Sequence, residues 1–140
     1  MKRLIVCAIA VSSLGLLLTA QSWGQVKQGK SRPLKTKHLM AGVVQPNCGA
    51  LGKALQAGAP ADDKGWDALA ANAELLNEAG EILMADGRCP DATWAGATKS
   101  LREATEAMLK AIDAKNIDQA KTTFPEVTKA CKSCHTAHRK

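Results

Sequence analysis

Aromatic residues are scarce in this sequence. Its 140 residues include no tyrosine, one phenylalanine (Phe124) and three tryptophans. Strands are usually built from β-branched and aromatic residues, whereas the alanine, leucine, lysine and glutamate that dominate here favour helix. The sequence therefore predicts an all-α domain of a size that suits one core.

Acidic residues are absent from residues 25–61, although this stretch contains six basic ones (Lys27, Lys30, Arg32, Lys35, Lys37 and Lys53). Residues 62–140 contain thirteen acidic and eleven basic residues. No aromatic residues are interleaved with the basic ones, so the stretch does not have the pattern of a nucleic-acid-binding surface. Two interpretations stay open: a basic surface that meets an acidic partner protein, or a solvated N-terminal arm.

The longest apolar run is N-terminal, at residues 4–20, and follows Met1-Lys2-Arg3. A short basic start before an apolar segment is typical of a secretory signal peptide. We predict a signal peptide at residues 1–24, cleaved after Gly24 or Ser22, and a periplasmic location for the remainder. Contact with a membrane is expected only if this segment is not cleaved. Cys7 would be removed with it.

The sequence near the C-terminus contains Cys131-Lys132-Ser133-Cys134-His135. The pattern C-x-x-C-H is the attachment signature of c-type haem. On one face of a helix, the two thiols can add to the two vinyl groups of one haem, and the histidine that follows can donate the proximal ligand to the iron. The sequence therefore predicts one covalent haem c, held by Cys131 and Cys134, with His135 as an iron ligand.

Cysteine pairs also occur in redox, zinc-binding and disulfide-bonded proteins. A thioredoxin-like redox pair expects a strand before it and a helix after it, whereas this pair ends a helical pattern. A structural zinc site needs a second ligand pair, and Cys48 and Cys89 stand alone. These two cysteines could form a disulfide in an oxidising compartment or remain two separate thiols. No acid–base pair or activated nucleophile stands out, so no enzyme is predicted.

Apolar residues recur at the three-to-four spacing of amphipathic helices after an extended leader at residues 25–33. Four helices are predicted, at about 34–55, from a cap at Asp62 or Asp63 to about Asp86, from Asp91 to about 116, and from 117 onward. Pro46 cannot donate a backbone hydrogen bond, so a kink or break is expected near Val44. Short connections predict an antiparallel up-down four-helix bundle over residues 34–140, with the haem facing its interior.

A haem motif at the end of a four-helix chain resembles the cytochrome c′ family, the class II c-type cytochromes. The resemblance is strongest at residues 131–140 and extends loosely over residues 34–140. It implies a periplasmic electron carrier that meets redox partner proteins, or a gas-binding haem protein, in either case often a homodimer. It also implies that Arg139 lies near the proximal face of the haem.

The resemblance places Met40 opposite His135. In one branch of the family a methionine there gives a low-spin, six-coordinate electron carrier, which is the function predicted for this chain. In the other branch an apolar residue leaves an open site for nitric oxide or carbon monoxide, and this is the alternative function. Met40 could also be an ordinary core residue. His38 is a competing ligand, but it lies only two residues from Met40, so both cannot face the iron.

Two positions depart from the family pattern. Thr36 stands where the family often has an arginine that pairs with a haem propionate, so either a flanking lysine (Lys35 or Lys37) replaces it or the register differs by one residue. His138 stands where the family often has an aromatic residue. It is on the same side of the iron as His135, so we expect it to pack or to be solvated rather than to act as the opposite ligand.

Overall fold

The computed structural model describes residues 28–139, so the predicted signal peptide lies outside the described residues. These residues form four helices: α1 (residues 36–57), α2 (Asp63–Met84), α3 (Ala92–Asp113) and α4 (Ile117–His138). The all-α four-helix bundle is confirmed, with boundaries within a few residues of those expected. In this part of the chain, no helix combines the length and hydropathy needed to cross a membrane.

Helix α1 changes its hydrogen-bonding pattern along its length. It is α-helical over Thr36–Leu39, π-helical over Met40–Val44 and α-helical again over Gln45–Ala57. Pro46 lacks the N–H that would donate to the carbonyl four residues earlier, and a wider turn just before it accommodates this loss. The irregularity expected near Val44 is therefore present, but the helix continues through it without breaking.

Side-chain caps begin the other three helices. Asp62, Asp91 and Asn116 each accept a hydrogen bond from the backbone N–H three residues later, at 2.8, 2.9 and 3.0 Å. Each cap satisfies an N–H group that has no partner within its own helix. Of the two aspartates predicted to begin α2, the structure uses Asp62.

The segment before α1 is fastened to the turn between α2 and α3. Gln28 and Lys35 form an isolated antiparallel bridge, so the chain reverses direction between them. The Asp86 carboxylate accepts hydrogen bonds from the backbone N–H and hydroxyl of Ser31 and from the backbone N–H of Arg32. Donation from Arg32 and Ser31 lowers the pKa of Asp86 to about 2.

Consecutive helices pack against each other, and α1 also contacts α4, which closes the bundle. Every residue of the apolar stripes predicted for α2 and α3 is buried (Trp66, Leu69, Ala73, Leu76, Gly80 and Leu83; Trp94, Ala97, Leu101, Ala104, Met108 and Ala111). On α4, Ala120, Val127 and Ala130 are buried, whereas Cys131 and Cys134 are only half-buried. The apolar core is therefore less completely closed around Cys131 and Cys134 than along the rest of α4's buried stripe.

Candidate cofactor site

A cavity of about 710 Å³ lies between α1 and α4. Its volume falls within the range of about 300–1,000 Å³ that is typical of small-molecule and cofactor sites. The residues that line it include all five predicted site residues: Met40, Cys131, Cys134, His135 and Arg139. Residues separated widely in sequence are thus brought together around one space.

Helix α1 presents Met40, Val44 and Cys48 to this cavity at intervals of four residues. Met40 belongs to the π-helical segment and is half-buried against the core. His38 is exposed and is not among the residues that line the cavity. Of the two distal-ligand candidates, the structure therefore presents only Met40 to the site.

Glycines make part of the α1 wall. Gly49 and Gly52 line the cavity, whereas Gly42 does not. A Cβ atom added at Gly49 would meet no atom within 4 Å, and one added at Gly52 would lie 3.2 Å from the Phe124 ring. The backbone at Gly49 therefore adjoins open space on the wall of the cavity.

Helix α4 supplies the attachment motif. Burial, followed by the nearby charge of Arg139, lowers the pKa of His135. Both effects favour the neutral imidazole, which is the form that ligates a metal. Burial also raises the pKa of the Cys134 thiol, with a smaller contribution from the Asp91 carboxylate.

Cys48 is a residue of the site that sequence reasoning did not place there. It lines the cavity together with Cys131, and the interaction between the two thiols lowers the pKa of Cys48 to about 7. The same interaction, together with burial, raises the pKa of Cys131 far above its usual value. The cysteines of residues 28–139 are all free, and the Cys89 thiol donates to the Asp91 carbonyl at 3.4 Å. Cys48 and Cys89 are therefore two separate thiols, because α1 does not break at Pro46.

His138 is buried, so the packing interpretation of this residue is the one the structure supports. Its ring lies edge-to-face against Trp94, with centroids 5.3 Å apart and an interplanar angle of 73°. Its Nε2 atom lies 3.4 Å from Asp91 Oδ1. The Trp94 indole N–H in turn donates to the Leu83 carbonyl at 2.9 Å. His138 thus joins the end of α4 to the start of α3 at the wall of the cavity.

Residues 90–139 match the family model described as Cytochrome C'. They include helices α3 and α4 and the whole attachment motif. This C-terminal part of the chain is therefore similar to the cytochrome c′ family. Neither the curated proteins nor the solved structures with which the chain was compared gave a significant match.

The similarity of residues 90–139 to the cytochrome c′ family implies a covalently bound c-type haem. Proteins of this family carry electrons or bind gases, are generally not enzymes and are typically periplasmic. The match begins at residue 90, well after α1, so it does not include Met40. It therefore supports the motif on α4 and says nothing of the distal ligand.

The cavity suits the haem of a cytochrome c′ in size, wall chemistry and charge. Val44, Trp94 and Phe124 provide apolar surface for a flat macrocycle, while the charged side chains that line the cavity (Lys37, Lys53 and Arg139) are all basic. These positive charges complement the two negatively charged propionates of a haem. Among residues 28–139, no three histidine, cysteine, aspartate or glutamate side chains are grouped so that they could hold a metal ion, so the zinc alternative has no ligand set there.

Arg88 is a second residue that sequence reasoning missed. Its side chain is fully buried, and Nη1 donates to the hydroxyl of Thr36 at 3.4 Å. Thr36 lines the cavity in the position where the family often has an arginine. Nε and Nη2 of Arg88 have no hydrogen-bond partner among the described residues. The positively charged side chain of Arg88, from the turn between α2 and α3, therefore contacts Thr36 without itself lining the cavity.

Proposed function

We propose that this chain is a periplasmic c-type cytochrome that carries single electrons through one covalent haem. When bound, the haem supplies an iron atom that alternates between the ferrous and ferric states. The observation that carries the proposal is the joint presence of Met40 and His135 on the walls of one cavity, from two different helices, beside both cysteines of the attachment motif.

The chain's own residues have distinct roles in this proposal. Cys131 and Cys134 hold the cofactor through thioether bonds, and His135 donates a neutral imidazole nitrogen from α4. Met40 offers a soft thioether sulfur from α1, which favours the ferrous state and raises the reduction potential. Burial of these groups limits access of water and helps to set that potential.

The basic residues suit two further roles, which are to bind the haem propionates and to dock an acidic redox partner. Lys37, Lys53 and Arg139 line the cavity, and Arg88 lies behind Thr36 with unpaired N–H groups. The three that line the cavity are chemically suited to the propionates. The absence of acidic residues from residues 25–61 also suits docking of an acidic redox partner.

The absorption spectrum of the ferrous protein, recorded with and without carbon monoxide, tests this function. A methionine ligand from Met40 predicts a low-spin spectrum and slow or incomplete binding of carbon monoxide. Met40→Ala should then bind carbon monoxide rapidly and stoichiometrically. His38→Ala is the matched control, since His38 is exposed away from the cavity, and should behave like the unmodified protein.

Rapid, stoichiometric binding by the unmodified protein would contradict the role of Met40. It would support the alternative function, in which the protein binds nitric oxide or carbon monoxide as a sensor or scavenger.

A further inference from the structure

Cys48 is a third thiol of the site, and the attachment motif does not account for it. It lies half-buried on α1 and lines the cavity. Cys131 lines the same cavity from α4, and the two thiols lie close enough to perturb each other's pKa values. Cys134, one turn further along α4, has no such interaction with Cys48. One of the two haem-attaching cysteines is therefore in contact with a cysteine of another helix.

The sulfur of Cys131 can form a thioether to haem or a disulfide, but not both. We propose that Cys48 and Cys131 form a disulfide before haem is attached, and that this bond competes with thioether formation at Cys131. The disulfide itself depends only on the thiol pair, whereas the competition rests on the proposed function.

Formation of the Cys48–Cys131 disulfide requires an oxidant that accepts two electrons. A disulfide-containing compound, such as oxidised glutathione, is an oxidant of this kind. The Cys48 thiolate attacks one sulfur of the oxidant, forms a mixed disulfide and releases one glutathione. The Cys131 sulfur then attacks Cys48 Sγ and releases the second glutathione. Two protein thiols are oxidised to one disulfide, one glutathione disulfide is reduced to two thiols, and the two protein protons pass to glutathione.

The two thiols also differ in a way that suits different roles. The interaction with Cys131 lowers the pKa of the Cys48 thiol, and the thiolate is the nucleophile in disulfide exchange. Cys48 is therefore the initial nucleophile and Cys131 the resolving thiol.

Two other disulfides compete with this one. In an unfolded chain Cys131 should prefer Cys134, because closing the much shorter loop favours that pairing by roughly 100-fold. A bond between Cys48 and Cys89 would require Cys89 to leave its hydrogen bond to the Asp91 carbonyl, outside the cavity. Only the folded arrangement favours Cys48 with Cys131, so the pairing reports directly on the geometry.

Peptide mapping distinguishes the three pairings. The full chain is prepared without haem, checked for helix by circular dichroism, treated with oxidised glutathione at neutral pH, alkylated and digested with trypsin without reduction. Cleavage after lysine and arginine places Cys48 in residues 38–53, Cys89 in 89–99, Cys131 in 130–132 and Cys134 in 133–139. Each possible disulfide therefore gives a linked pair of distinct mass.

We expect residues 38–53 linked to 130–132 as the main product under native conditions. In concentrated guanidinium chloride the main product should change to 130–132 linked to 133–139. Cys48→Ser should abolish the native product, whereas the control Cys89→Ser should retain it. A main native product that links 130–132 to 133–139, or 38–53 to 89–99, would overturn the proposal, as would a haem-free chain without helix.

Haem attachment provides the second readout. In the presence of oxidised glutathione, Cys48→Ser should increase the fraction of chains that gain the mass of a haem, and Cys89→Ser should not. A chain that acquires haem but never forms the native disulfide would overturn this inference and leave the proposed function intact. A chain that forms the disulfide but never acquires haem would overturn the proposed function and the competition.

Discussion

Replacing Trp94 with phenylalanine tests how the wall behind the cavity is held. The substitution keeps an aromatic ring against His138 but deletes the indole N–H, which donates to the Leu83 carbonyl at 2.9 Å. Leu83 lies in the last turn of α2, where carbonyl groups have no N–H partner within their own helix. The indole therefore satisfies a buried carbonyl that helix geometry leaves unpaired.

The expected loss of stability follows from this geometry. An unpaired buried carbonyl costs about 1–3 kcal/mol. The smaller ring removes further apolar contact, for which about 1 kcal/mol is a reasonable addition. The free energy of unfolding should thus fall by about 2–4 kcal/mol, which for a domain of this size lowers Tm by roughly 8–16 °C.

Trp66→Phe is the matched control. Trp66 is buried in the apolar stripe of α2, the helix that also contains Leu83. Unlike that of Trp94, its indole N–H forms no hydrogen bond with any of residues 28–139. Thermal and denaturant unfolding of both haem-loaded variants, followed by circular dichroism, compares them. The loss at Trp94 should exceed that at Trp66 by about 1–3 kcal/mol. Equal losses in the two variants would refute the role assigned to the bond between the indole and the carbonyl.

Three further changes probe other parts of the structure. Gly49→Leu should project into the cavity and reduce the haem content of purified protein, measured from absorbance per chain, whereas Gly42→Leu, outside the cavity, should not. The pKa of Asp86 is lowered from 3.8 to about 2 in the folded chain, so its contribution is present above pH 4 or so and is lost as pH falls toward about 2. Protection of the amides of residues 30–32 from exchange, relative to an unstructured peptide at the same pH, should fall in that window, and Asp86→Asn should remove this pH dependence of the protection. Asp62→Ala should cost about 1 kcal/mol of unfolding free energy in a urea titration, because it removes the cap of α2.

The helices were predictable because their signals are local. The stripes on α2 and α3 repeat at the helical period, and Asp62 and Asp91 stand just before the first apolar residue of each stripe. Pro46 likewise predicted an irregularity in α1. Whether the chain would break or widen its turn depended on packing against the other helices, which a local pattern does not contain.

Much of the candidate site was also predictable, because C-x-x-C-H fixes three residues and their chemistry by spacing alone. The positions of Cys48 and Arg88 were not predictable in this way. Cys48 reaches Cys131, and Arg88 reaches Thr36, only after the helices have assembled. Sequence analysis left open whether Cys48 and Cys89 pair, because cysteine count and compartment say nothing of where each thiol points.

The intact mass of the purified, exported protein tests the central claim most directly. Attachment of haem through Cys131 and Cys134 predicts a mass equal to the processed polypeptide plus one haem, which persists after denaturation and acid–acetone extraction because thioether bonds survive both. Replacing both cysteines with serine should abolish this added mass. A protein made in a host able to attach c-type haem that weighs no more than its polypeptide would contradict the account.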